Sequence, residues 1–250
     1  MPKFEVLVLG TGDGFSQDRY SASFLLNAGG KFVAVECPGM FAKVLKDGAS
    51  AARYKVGIKD VNDVIVSHIH GDHSNGLELF GYYKFFAEGK RPAVYSIKEV
   101  LGPLWGQKLK GSMGRMGELR FDRAKSMAFS DYFKGVELRP GIRSTVCGVG
   151  VEVRRARHTV PTISMKLSFA GRTLGYSADT AFDPGLIEFL DGCDVIFHEA
   201  GYGIHTDYSS LSSLPAHIKR RMRLIHFPDS LQMTDRSLRP LHEGEVIRLL

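Results

Sequence analysis

Cysteine is scarce in this 250-residue chain. The three present, Cys37, Cys147 and Cys193, are scattered, odd in number and not spaced as metal ligands. They read as small buried side chains and suit a reducing, cytoplasmic setting. No run of about 18 or more apolar residues occurs, which argues against a membrane span. The start, Met1-Pro2-Lys3 followed by strand-like Phe4-Glu5-Val6-Leu7-Val8-Leu9, has neither the apolar region nor the cleavage site of an export signal. Low-complexity segments and long linkers are also missing, so residues 1–250 are expected to form a single domain. With 44% apolar and 24% charged residues, that domain has enough material for a sizeable core. A net charge of +6 is a mild bias towards anionic, phosphate-bearing partners. The basic residues are spread along the chain, densest at Lys108–Arg123 and Lys219–Arg223, and do not mark a nucleic-acid-binding protein.

Strand-like and helical runs alternate from end to end. Phe4–Leu9, Ser23–Asn27 and Phe32–Glu36 predict three strands separated by Gly-rich turns. Met40–Asp47 predicts a short helix, Asp63–Ser67 a buried strand, Asn75–Phe86 a helix, Ala93–Ile97 a strand and Lys98–Lys108 a helix. The second half repeats the theme, with strands at Val149–Arg155, Ile163–Phe169, Arg172–Tyr176, Asp194–Phe197, Arg223–Ile225 and Glu245–Leu249. Its helices are expected at Pro184–Leu190 and at Ser213–Met222, with Pro215 in the first turn of the latter. Two β-rich halves with interspersed helices imply an α/β (α+β) fold in which sheet packs on sheet and helices lie outside.

The strongest local signal is His68-Ile69-His70-Gly71-Asp72-His73, which follows the apolar strand. Four ligand-type side chains within six residues cannot all face one way on a helix or an ideal strand. They converge in a loop at a strand end, where Gly71 is well placed for the turn. Three imidazoles and a carboxylate suit zinc or a similar borderline metal.

His-x-His-x-Asp-His after an apolar strand resembles the signature of the metallo-β-lactamase superfamily. The resemblance implies a four-layer αβ/βα sandwich with a two-metal site at the sheet edge, and three further ligands downstream. These are His158 in Arg157-His158-Thr159-Val160-Pro161, Asp179 in Ser177-Ala178-Asp179-Thr180, and His226 in Ile225-His226-Phe227. By that resemblance His68, His70 and His158 bind one ion, Asp72, His73 and His226 the other, and Asp179 bridges them. The ions are expected to be Zn2+, with Mn2+ or Fe as alternatives. Within the superfamily the chain is similar to the ribonuclease Z and phosphodiesterase branch, through Leu9-Gly10-Thr11-Gly12 with Arg19 and Ser21, His158-Thr159-Val160-Pro161-Thr162, and Phe197-His198-Glu199-Ala200. Two departures stand out. Glu36 occupies the place where an Asp is usual, and only 21 positions separate His158 from Asp179, too few for the tRNA-grasping arm of bacterial ribonuclease Z.

The resemblance implies a metal-dependent phosphodiesterase acting on a small or nucleotide-type diester. Two cations roughly 3.5–4 Å apart lower the pKa of a bridging water and polarise the scissile group. Asp72 and Asp179 place and neutralise them, and His198 is the expected donor of the leaving-group proton, oriented by Glu199. His205, His217 and His242 lack motif context and read as surface residues. Tyr82, Tyr83, Phe85 and Phe86 read as a core-facing helix stripe, and Gly106–Gly117 as a solvated loop. Other readings are a tRNA 3′-end endoribonuclease, a thioester or lactam hydrolase, and a non-catalytic metal-binding scaffold; retention of all seven ligands favours catalysis over the last. The expected partners are an anionic small-molecule or nucleotide substrate, RNA as an alternative substrate, and a second copy of the chain in a homodimer, with no membrane.

Overall fold

The computed structural model describes residues 3–117 and 123–249. Arg120, in the basic stretch Lys108–Arg123, lies outside the described residues. In chain order the strands are β1 (Phe4–Gly10), β2 (Ser23–Ala28), β3 (Lys31–Val35), β4 (Val61–Ile65), β5 (Ala93–Ser96), β6 (Arg115–Met116), β7 (Lys125–Ser126) and β8 (Lys134–Glu137). The second half supplies β9 (Ser144–Val146), β10 (Val149–Arg155), β11 (Ile163–Phe169), β12 (Arg172–Tyr176), β13 (Val195–Glu199), β14 (Met222–Ile225), β15 (Arg239–Pro240) and β16 (Val246–Leu249).

One sheet runs β16-β1-β2-β3-β4-β5-β8 and the other β15-β14-β13-β12-β11-β10-β9, while β6 and β7 form a separate ribbon. Each large sheet has the same grammar. Hairpin-linked strands pair antiparallel from β1 to β3 and from β9 to β12. Beyond them the strands pair in parallel, from β3 through β4 and β5 to β8, and from β12 through β13 and β14 to β15. Parallel neighbours need crossover connections, and those crossovers supply the outer helices. Phe41–Ala51 and Leu77–Glu88 cover the first sheet, where the Phe41 and Phe80 rings meet edge-on at 5.8 Å. Pro184–Leu190 and Ala216–Arg221 cover the second, burying Leu186, Leu190 and Ile218 with Met222 and Leu224.

The two sheets close on each other through a shared apolar core. Phe24 of β2 is fully buried and meets Tyr176 of β12 and Phe197 of β13 edge-on, at 5.1 and 5.3 Å. The result is the expected four-layer αβ/βα sandwich. The carboxyl ends of the parallel strands from both sheets meet along one edge, the position where open α/β sheets bind ligands.

Several elements differ from the sequence reading. The first helix continues past Asp47 to Ala51. The helix expected over Lys98–Lys108 is regular only to Pro103, then widens to a π-helical turn over Leu104–Leu109, because proline has no N–H for the regular ladder. The expected loop Gly106–Gly117 is helical through Lys110–Met113, anchored by buried Leu109 and Met113. Pro215 precedes the helix Ala216–Arg221 at its cap, and a separate turn of helix forms at Tyr208–Ser212. Tyr82 and Phe85 pack on Tyr132 as a core-facing stripe should, but Phe86 stands exposed.

Candidate metal centre and active site

The chain leaves β4 at Ile65 and passes through Ser67 into the segment bearing His68 and His70. Asp72 and His73 then sit on one helical turn, Gly71–Ser74, rather than on an open loop. Ser74 Oγ donates to the carbonyls of Ile69 (3.0 Å) and His70 (2.8 Å), and Lys108 Nζ donates to the Ile69 carbonyl at 2.7 Å. The backbone between the ligand-type residues is therefore tied from both sides. His158 lies in the connection from β10 to β11, Asp179 three residues beyond β12, and His226 directly after β14. Glu36, Ala178 and His226, each just past a parallel strand, have φ of 66°, 49° and 53°. Left-handed backbone at a non-glycine residue costs of order 1–3 kcal/mol, and here it turns the chain sharply over the site.

Two groups of donor atoms converge on Asp179, and Glu199, His205 and His226 form a third cluster beside them. In the first, His68 Nε2 lies 3.1 Å from His70 Nδ1, His158 Nε2 lies 3.2 Å from the same atom, and Asp179 Oδ2 stands 3.7 and 3.9 Å from His68 and His158. In the second, Asp72 Oδ2 is 3.2 Å from both His73 Nε2 and His226 Nε2, and Asp179 reaches the same two imidazoles at 3.2 and 3.4 Å. Asp179 belongs to both groups. His73 Nε2 and Asp179 Oδ1 are buried and make no hydrogen bond. Buried polar atoms without partners are costly, so atoms that face one another in this way fit a cation held between them. The donor set of imidazole nitrogens and carboxylate oxygens suits divalent metal binding.

The electrostatics agree. Burial pushes His68 well below the usual imidazole range, and burial also lowers His70 and His158, leaving neutral rings with free lone pairs. Burial acts against charging His73 and His226 as well, but there the carboxylates win: Asp179 and Glu36 raise His73, and Asp179, Asp72 and Glu199 raise His226 to about 10. Burial likewise opposes ionisation of Asp72 and Asp179, yet His226 and His73 hold both below the normal carboxylate range. Two buried carboxylates thus draw positive charge into the centre, and a divalent ion would answer the same demand.

The buried Glu36 accepts from Ser67 N at 3.1 Å, and its other oxygen lies 3.4 Å from His73 Nδ1. It therefore stands behind the imidazole, with a longer side chain than the usual Asp.

The structure separates three residues from the roles that sequence suggested. His198 is 1% exposed, its Nδ1 donates to the Glu199 carbonyl at 2.8 Å, and it is not on the wall of the cavity above the centre. Successive strand residues face opposite ways, so when Glu199 turns its carboxylate to the centre His198 must turn its ring away. Glu199 consequently does not orient His198. One of its oxygens accepts from Thr180 N; the other accepts from His205 Nδ1 at 2.7 Å and lies 3.5 Å from His226 Nδ1. His205, read from sequence as a surface residue, lines the cavity, and its hydrogen bond to Glu199 raises its pKa against the effect of burial. The only sequence signal for it was its place six residues after Glu199 in the glycine-flanked run Gly201-Tyr202-Gly203-Ile204. His217 and His242 are exposed, as expected.

The roof of the site is the loop after β1. A Cβ on Gly10 would lie 2.1 Å from the Ser21 carbonyl oxygen, so glycine is what lets this loop close. Gly14 lies directly against Asp72, where an added Cβ would meet Cγ at 3.1 Å. The cavity beneath measures about 880 Å3 and contains His70, Asp72, His158, Asp179, His205 and His226 in its wall.

A family model described as the anti-Pycsar protein Apyc1 matches residues 4–242. The anti-Pycsar protein Apyc1 of Saccharibacillus brassicae is 30% identical over 233 residues, covering 89% of this chain and 89% of that protein. The cAMP/cGMP-dependent 3′,5′-cAMP/cGMP phosphodiesterase B of Dictyostelium discoideum is 24% identical over 99% of this chain, which matches 23% of that longer protein. Among solved structures, the metallo-β-lactamase fold protein YhfI of Bacillus subtilis superposes with a TM-score of 0.73 at 16% identity, covering 98% of this chain and 99% of that one. Human short-form tRNase Z gives 0.70 at 17% identity, with 98% and 99% covered. At such identities these two likenesses are of fold alone.

Proposed function

We propose that this chain, which belongs to the anti-Pycsar protein Apyc1 family, hydrolyses 3′,5′-cyclic nucleotides at a centre built for two divalent metal ions. The chain is a phosphodiesterase-type hydrolase of the metallo-β-lactamase fold. The finer reading rests on one observation: Asp179 is shared between two converging donor groups, each completed by imidazoles with free or carboxylate-balanced nitrogens. His68, His70 and His158 would hold one ion, Asp72, His73 and His226 the other, and Asp179 both. Divalent ions held by these residues would supply Lewis acidity for activating water and for polarising the phosphoryl group.

The chain's own groups do the rest. Glu36 keeps the His73 ring in place from behind, and Glu199 braces His226 and His205 together. His205, whose hydrogen bond to Glu199 favours its protonated form, lies on the cavity wall where it could give a proton to the departing ribose oxygen. The cyclic nucleotide specificity is supported by the names of the Dictyostelium relatives, which span nearly this whole chain. Zn2+ is the proposed metal, on the nitrogen-rich donor set.

No helix among the described residues is long and apolar enough to cross a membrane. A cytoplasmic location and a homodimer complete the proposal, the latter supported by exposed Leu79 and Phe86 on Leu77–Glu88. The decisive experiment measures bound metal and turnover of cAMP and cGMP to the monophosphates before and after chelation. Close to two ions per chain and activity restored by Zn2+ or Mn2+ are expected. Full activity in protein shown to hold no metal would refute the assignment.

A further inference from the structure

Nine large apolar side chains stand exposed among the described residues, and four of them, Phe15, Met40, Tyr202 and Ile204, line the single cavity above the metal centre. They come from three separate segments. Phe15, 92% exposed, rides on the roof loop; Met40 precedes the helix Phe41–Ala51; Tyr202 (56%) and Ile204 (50%) lie in the short run that leads into His205. Water-facing aromatics concentrated at the mouth of a cavity floored by imidazoles and carboxylates point to a ligand that is charged at one end and flat and apolar at the other.

The backbone segments that carry Phe15 and Tyr202 are also held in place. The Asp229 carboxylate accepts from Ser16 Oγ (2.7 Å), Gln17 N (2.8 Å), Asp18 N (3.3 Å) and the Arg19 guanidinium, and Phe15 N donates to Asp13 Oδ1 at 3.0 Å. Gly14 presses on Asp72 on the other side, so the Phe15 backbone is fixed between the second donor group and Asp229. Opposite, Gly201 N donates to the Thr206 carbonyl at 2.8 Å, closing a small loop with His205 on its inner side and Tyr202 and Ile204 at the rim. The Phe15 ring itself is almost wholly exposed, but the backbone that carries it is fixed, so it is presented at the cavity mouth for a stacking partner.

We infer that Phe15 and the Tyr202–Ile204 rim form a jaw that grips the base of the nucleotide while its phosphate lies on the metal centre, making Phe15 a specificity-determining residue. This deepens the cyclic nucleotide reading and rests on it. The test is steady-state kinetics of the metal-loaded protein on cAMP and on 1-O-methylribose 3′,5′-cyclic phosphate, which keeps the diester and lacks the base. Phe15→Ala should lower the ratio of kcat/KM for cAMP to that for the base-free diester by roughly 5- to 150-fold, the range found for removing one base-stacking aromatic. The loss should sit in KM for cAMP, Tyr202→Ala should act in the same direction, and Phe15→Tyr should restore the ratio. An unchanged ratio in both alanine variants would refute the jaw while leaving the phosphodiesterase reading intact. A protein inert on both substrates would overturn both readings. If Phe15→Ala instead dissociated a dimer, measured by light scattering, the rim would be a contact between copies and the jaw would fall.

Discussion

Replacing His205 and His198 in turn separates a residue at the chemistry from one in the scaffold. His205 lines the cavity and is hydrogen-bonded to Glu199 at 2.7 Å, whereas His198 is buried on the far side of β13. A general acid contributes roughly 10²–10⁴-fold, which is about 2.7–5.4 kcal/mol of barrier at 1.36 kcal/mol per tenfold. His205→Ala should therefore cost that much kcat on a cyclic nucleotide, whose ribose oxygen departs poorly without a proton. On bis(p-nitrophenyl) phosphate the loss should be much smaller, because nitrophenolate leaves unaided. His198→Ala should do the reverse. It opens a cavity in a buried strand and leaves the Glu199 carbonyl without its donor, a loss of about 2–5 kcal/mol in stability. The fraction still folded should turn over both substrates within a few-fold of the parent. Parallel melting curves and two-substrate kinetics read both effects. A leaving-group-dependent rate loss in His198→Ala, with none in His205→Ala, would refute the reasoning.

The pH behaviour carries the same signature. Hydrogen bonding to Glu199 raises the pKa of His205 in the folded protein. The stability this contact contributes is fully present below the ordinary histidine pKa and is lost as pH climbs through the raised one. The proton donor is present over the same interval, so Glu199→Gln should move the alkaline limb of the kcat profile to lower pH.

Chelation should lower the melting temperature as well as activity, since ligand present at a thousand times its Kd stabilises the fold by about 4 kcal/mol; an unchanged melt would mean that metal does not bind the folded state preferentially. Asp179→Asn removes the charge common to both donor groups and should abolish turnover and reduce bound metal, read by elemental analysis against the parent. Phe24→Ala should cost about 3–5 kcal/mol in denaturant unfolding, because Phe24 is fully buried and meets two rings across the sheet interface.

Ligand placement was legible in sequence to different depths. His68, His70, Asp72 and His73 stand out unaided because four donors are compressed into six positions. His158, Asp179 and His226 are isolated in the chain; only their order, set beside a known family, singles them out. His205 escaped because its partner Glu199 belongs to a strand and the link between them is a loop of glycines and apolar residues with no repeat. His198 misled for a complementary reason. It adjoins Glu199 in sequence, but the period of a strand sends neighbours to opposite faces. Lys108 was visible as a basic residue, yet its reach to the Ile69 carbonyl depends on how the chain winds after Pro103. Strand β8 left no trace because its four residues are all exposed and show no alternation.

The left-handed backbone at Glu36, Ala178 and His226 has a consequence for attempts to make this protein more robust. A screen for heat resistance in chelator would reward glycine at Ala178, which loses only a methyl group there, since glycine adopts φ near 50° without a Cβ clash. At Ala178 the gain in hardiness would loosen the turn that aims Asp179, whereas at His226 glycine would leave the carboxylates of Asp72, Asp179 and Glu199 without their buried partner. Variants chosen by heat alone would then drift towards a sturdier sandwich with a weaker catalytic edge, so selection should score turnover and melting together.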